Sequence, residues 1–159
     1  MLPALTHYGR AVVPAVTSTP RHAQKIDFKP RGFWVSVDEG GHGWADWCES
    51  EGFRLAALKV VHDVVLAADA RVLLIPDEAA FDTFADKYGA GSFAGHRMGH
   101  DYINWPVVAD HYQGIIIAPY LWSRRMDVLW YYGWDCASGC IWDAAAVASI
   151  AARQAAEAA

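Results

Sequence analysis

The sequence predicts an α+β domain: a mixed or antiparallel β-sheet core with short helices and a C-terminal helix. Three observations point there. Runs of β-branched and aromatic residues bounded by Gly or Pro recur along the chain, as in GFWVS at 32–36, VLLI at 72–75 and GIII at 114–117. Helical spacing of apolar residues is confined to short windows. Strands and helices do not alternate in a sustained βαβ series, which argues against a doubly wound parallel sheet. A length of 159 residues implies one domain over 1–159. A chain of that mass buries about 69% of its unfolded surface, enough for an ordinary core.

The elements follow in order. LTHYG at 5–9 reads as a first strand, and residues 10–31 as loop broken by Pro14, Pro20 and Pro30, with room for a short helix within 21–26. Residues 32–38 form a strand, and EGGHG at 39–43 a turn. Gly43 to Gly52 fits one short helix that places Trp44, Trp47 and Cys48 on one side. Residues 53–57 and 58–65 are strand material ambiguous with helix, and 70–75 is a strand closed by Pro76. Asp77 caps a helix carrying Phe81, Phe84, Ala85 and Tyr88 at helical spacing, stopped by Gly89. Residues 89–101 form a Gly-rich loop. Asn104 caps the next helix, with Pro106 in its first turn, to about His111. Residues 114–118, 129–134 and 138–143 read as strands, and the Ala-rich stretch 144–159 as a terminal helix.

Composition narrows the function. The net charge is −5, which argues against strong sequence-blind binding to nucleic acid or anionic membrane. The charge is uneven: residues 1–36 carry +4, residues 37–100 carry −6 and the remainder −3. The basic first quarter could meet phosphates. No apolar run is long enough to span a bilayer, and the first residues lack the pattern of a secretory signal. Three cysteines, an odd number, fit reduced thiols in a cytoplasm. The eight tryptophans are more than a core of this size requires, since each indole N–H needs a partner when buried, so an aromatic-lined site is expected.

Several chemistries lack their signatures. GAGSFAG at 89–95 has no Lys-Ser/Thr and follows a helix, so it is neither a P-loop nor a Rossmann turn. Cys136 and Cys140 have no second Cys/His pair to complete a zinc site. His96, His100 and His111 with Asp101 or Asp110 leave a metal-dependent nuclease or hydrolase as one alternative, although the Gly-rich loop gives them no helical face.

Four short motifs remain, in a fixed order: HYG at 7–9, KPRGFWVS at 29–36, YQGIII at 112–117 and WDCASGCIWD at 134–143. This order resembles the ADP-ribosyltransferase superfamily, in particular its DarT-like and PARP-like bacterial and phage members. The resemblance spans most of residues 5–143 and implies a split, mixed β-sheet with a cleft for NAD as substrate. It implies a mono-ADP-ribosyltransferase acting on a nucleic-acid base or a protein, in toxin action or phage–host conflict. His7 would bond the adenine ribose, Tyr8 and Gly9 would approach nicotinamide, and Arg10 would meet a phosphate. Trp34 and Ser36 would line the pocket and Tyr88 would stack. Asp135, with His7 and Ser36, would form the catalytic set. The late acid of the superfamily is usually Glu; here Asp135 stands near that place, and Asp38, Glu39 and Asp143 are the other carboxylates open for the role. The same residues could also serve a non-catalytic module that binds a nucleotide or a partner.

Overall fold

A seven-stranded sheet organises the chain. The structure, a computed structural model, describes residues 1–91 and 101–154. The strands are β1 (Leu5–Gly9), β2 (Ile26–Asp27), β3 (Phe33–Ser36), β4 (Val60–Leu66), β5 (Val72–Ile75), β6 (Gly89–Ala90), β7 (Tyr102–Asn104), β8 (Gly114–Ile117), β9 (Ser138–Ile141) and β10 (Val147–Ala152). The large sheet runs β10-β4-β1-β3-β9-β8-β5, and the small one β2-β7-β6. Every neighbouring pair in the large sheet is antiparallel except β5 and β8. That parallel pair needs a crossover, which α2 (Glu78–Tyr88), the small sheet and α3 (Trp105–His111) supply. The protein is thus mixed α+β with a mostly antiparallel sheet and short helices, as the sequence predicts, with one crossover that it did not predict.

Local chemistry explains the elements that position the core. Asp77 accepts from the Ala80 amide at 2.8 Å and starts α2, whose Phe81, Phe84 and Tyr88 are buried at spacings of three and four. Asn104 accepts from the Val107 amide at 3.4 Å at the head of α3. The strands β8 and β9 are buried on both faces along their whole length, in keeping with the unbroken apolar run at 115–117. On β4 only His62 and Val64 are buried, and Asp63 and Val65 face outward, the alternation of a half-covered strand.

Glycine lets β9 and β8 approach. A Cβ at Gly139 would lie 2.5 Å from the Ile115 carbonyl oxygen and 2.8 Å from Ile116 Cγ1. Gly139→Ala is therefore expected to cost about 1–3 kcal/mol, since backbone on the facing strand must shift. A lower urea midpoint at an unchanged slope would show this.

Three expectations are corrected. Residues 129–132 form a helical turn, α5 (Leu129–Tyr132), instead of a strand. Trp130 and Tyr131 are both buried while Leu129 and Tyr132 are exposed, a pattern that strand alternation cannot give. The predicted C-terminal helix is also absent over the described residues. A short 3-10 turn at Ala144–Ala146 leads into β10, which pairs with β4 from Val147 opposite Leu66 to Ala152 opposite His62. Helix propensity of Ala is a weak preference, and the open edge of β4 offers a full ladder of backbone bonds. Residues 155–159 lie outside the described residues. Residues 53–57, read as strand or helix, instead enter a 3-10 turn at Leu55–Leu58. Among the described residues no helix is long and apolar enough to cross a membrane.

Candidate functional site

A cavity of about 340 Å³ opens where β1, β3 and the start of β9 meet α1 (Trp44–Glu51). Such a volume falls in the usual range of small-molecule sites. Strand β1 contributes Thr6, His7 and Tyr8, and β3 contributes Trp34, Val35 and Ser36. Trp44 comes from α1, and Trp134, Asp135, Cys136 and Ser138 come from the segment entering β9. Lys29 and Arg54 bring positive charge. Among the described residues β1 and β3 share a single register position, Thr6 opposite Ser36.

Register decides which side chains share a face. With Thr6 opposite Ser36, the side chains of Thr6, Tyr8, Trp34 and Ser36 fall on one face. His7 falls on the other. Its ring stacks on Phe33 at 4.2 Å and lies 5.6 Å from His62, its cross-strand neighbour. His7 Nδ1 donates to the Trp34 carbonyl at 2.8 Å, so His7 ties β1 to β3 where their ladder stops. His62 Nε2 accepts from the Val13 amide at 2.9 Å, which leaves Nδ1 to donate to the His7 carbonyl at 3.2 Å. Burial lowers the pKa of His7, the Trp34 carbonyl partly offsets this, and His62 adds to the lowering. A histidine held below its unfolded value contributes stability above pH 6.5, and that stability is lost as pH falls through the folded value. Thermal melts between about pH 7.5 and about pH 5 should therefore show falling stability, and His7→Gln should flatten the fall.

A carboxylate hub lies beside the hydroxyls. Tyr8 Oη donates to Asp38 Oδ2 at 2.8 Å, and Ser36 Oγ donates to Asp38 Oδ1 at 2.6 Å. Ser36 Oγ in turn accepts from the Trp44 amide at 2.7 Å, which fixes the head of α1. Burial, then the bond to Asp38, pushes the Tyr8 hydroxyl well above its ordinary pKa, so it stays protonated.

Asp135 is half-buried on the other side of the cavity. Burial raises its pKa, while Lys29 and Arg125 pull it back; Arg125 Nη2 lies 3.9 Å from Oδ1. Lys29 Nζ sits 5.5 Å over the Trp34 ring, and the Trp34 and Trp134 rings meet edge to face at 5.1 Å. The arrangement offers aromatic walls, hydroxyl groups, two cations and one carboxylate in a single recess.

Of the predicted site residues, Tyr8, Trp34, Ser36 and Asp135 thus line one cavity, and His7 borders it with its ring turned to Phe33 on the other face of β1. Three do not line it. Gly9 ends β1, Arg10 is exposed just beyond it, and Tyr88 is buried in the core beside Phe84 at 5.2 Å. Tyr88 is turned inward because it belongs to the same helical stripe as Phe81 and Phe84. Of the other carboxylates, Glu39 is exposed, and Asp143 caps the turn at Ala144–Ala146 while accepting from Gln113 Nε2 at 2.8 Å. Cys136 and Cys140 are buried and their thiols are pushed up by burial, that of Cys136 to about 12, so neither is a thiolate nucleophile. His96 and His100 lie outside the described residues. Among the described residues no group of three or more His, Cys, Asp or Glu is placed to hold a metal ion.

The other lining residues are Thr6, Lys29, Val35, Trp44, Arg54, Trp134, Cys136 and Ser138. Lys29, Trp134, Cys136 and Ser138 lie inside the quoted motifs, so their neighbours marked them. Arg54 carries no sequence signal. It enters the cavity wall from a left-handed backbone conformation, φ 51°, that its residue type does not announce. No protein-family model, no curated protein and no solved structure matches the chain.

Proposed function

We propose that the chain is an NAD-dependent mono-ADP-ribosyltransferase with a split-sheet fold like that of the superfamily its motifs resemble. One observation carries the reading: Tyr8, Trp34, Ser36 and Asp135, from three motifs far apart in sequence, line a single cavity. Trp34, Trp44 and Trp134 wall the recess for a flat ring, and Lys29 and Arg54 suit the pyrophosphate. In the reaction the bond between the nicotinamide nitrogen and ribose C1′ breaks. Its electron pair leaves with the ring and neutralises the pyridinium, and positive charge develops on the ribose. Asp135 is the carboxylate that steadies that charge. The acceptor's nucleophilic atom then bonds to C1′ and loses its proton to solvent. The acceptor is a nucleic-acid base or a protein side chain, and the basic first quarter is where an anionic acceptor would approach.

A second reading, nucleotide binding without cleavage, has its own support. Lys29 and Arg125 both pull on Asp135, and their charge opposes a developing cation. Incubation with NAD and chromatography for released nicotinamide separates the two. Release that requires Asp135 supports the transferase. NAD binding with no release supports the binding module, and no binding at all removes both.

A further inference from the structure

We propose that Asp38 is a positioning residue that fixes the hydrogen-bond polarity of the cavity, turning its hydroxyl wall into acceptors that select a carboxamide N–H of the bound ring. The inference rests on reading the cavity as an NAD site and names what one wall of it recognises. A carboxylate can only accept, and Asp38 takes both nearby hydroxyl protons, from Tyr8 at 2.8 Å and Ser36 at 2.6 Å. Ser138 Oγ likewise spends its proton on the Cys136 carbonyl at 3.0 Å. Three of the four hydroxyls lining the cavity therefore have only lone pairs to offer a ligand; the fourth, Thr6, accepts from Arg153 Nη2 at 3.3 Å and stands apart from the Asp38 hub. One lone pair of Ser36 is already used by the Trp44 amide at 2.7 Å, so Tyr8 is the most available acceptor. A flat ring seated among Trp34, Trp44 and Trp134 would meet this wall with a substituent that donates. The carboxamide of nicotinamide does so, and the carboxylate of the deamidated ring does not.

Isothermal titration with NAD and with its deamidated analogue, whose ring bears a carboxylate, tests this. The wild-type protein is expected to bind NAD about tenfold more tightly, the size of one well-placed hydrogen bond against an acceptor facing an acceptor. Tyr8→Phe removes the acceptor and should bring the ratio close to one by weakening NAD alone. Asp38→Asn places an amide N–H₂ where an acceptor stood, so one hydroxyl must turn its proton toward the cavity. The ratio should then fall to one or invert, while a merely structural role would lower both affinities together. If Asp38→Asn fails to fold, as its melting curve would show, Tyr8→Phe carries the test alone. Equal binding of the two dinucleotides by the wild type, or an unchanged ratio in either folded variant, overturns the inference. In that case NAD binding itself survives, whereas failure of NAD to bind removes the underlying site reading as well.

Discussion

Asp135→Asn is expected to release nicotinamide from NAD at least about 100-fold more slowly than the wild type while retaining NAD binding within severalfold. The magnitude is that of removing one preorganised electrostatic partner from a developing charge. The amide keeps the shape and loses the charge, so binding and chemistry should separate. A second consequence distinguishes this residue from a structural acid. Burial raises the Asp135 carboxyl above its ordinary value despite Lys29 and Arg125. A group raised on folding contributes stability below its unfolded value and loses it as pH rises through the folded one. At neutral pH the charged form is therefore a net cost, and Asp135→Asn should melt slightly higher than the wild type. A more stable and inactive variant is the pattern of a group kept for function. In the wild type, activity should fall on acidification from a point above the ordinary aspartate value, because the proposed role needs the ionised form. An unchanged rate of nicotinamide release in Asp135→Asn would move the acid to Asp38, the other carboxylate beside the cavity.

Trp130→Ala should be the most damaging single change to stability, by about 3–5 kcal/mol. Trp130 is fully buried and stacks on Phe81 at 4.8 Å with an angle of 8° between the rings. Phe84 at 5.8 Å, Trp105 at 6.3 Å and Trp134 at 6.3 Å surround it edge-on. It joins α2, α3 and α5, so its removal leaves a cavity bounded by several elements that cannot close together. At about 2–4 °C per kcal/mol for a chain of this size, the melting point should drop by roughly 10 °C. Trp134 also lines the proposed NAD cavity, so NAD affinity should weaken in the same variant. Trp130→Phe should cost much less. Trp130 Nε1 has no hydrogen-bond partner among the described residues, so only packing is lost. A Trp130→Ala variant that melts with the wild type would contradict this view of the core.

Much of the fold could be read locally. The Asp77 cap, the Phe81–Phe84–Tyr88 stripe and the Gly89 stop give α2 its bounds, because every signal is contained in a dozen residues. The run 114–117 is apolar enough to demand burial on both faces. The readings that failed depend on distant partners. LWYY at 129–132 has strand-like residues, yet the core takes two adjacent aromatics at once, which a helical turn allows. The Ala-rich end has helical residues, yet it completes an edge that only the assembled sheet presents. The site divides in the same way. Tyr8, Trp34, Ser36 and Asp135 were marked by motif order. Placing His7 on the opposite face from Tyr8 follows from strand alternation alone and was readable in advance. The Asp38 hub was not, because it depends on how the turn after β3 folds back toward β1.

NAD is proposed to bind in the recess walled by Trp34, Trp44 and Trp134. The most direct test is a crystal structure of Asp135→Asn soaked with NAD, in which slow turnover preserves the substrate. The nicotinamide ring is expected against the tryptophan wall, its carboxamide within hydrogen-bonding distance of Tyr8 and its pyrophosphate near Lys29 and Arg54. NAD bound elsewhere on the chain, or an unoccupied recess at saturating NAD, would contradict this placement.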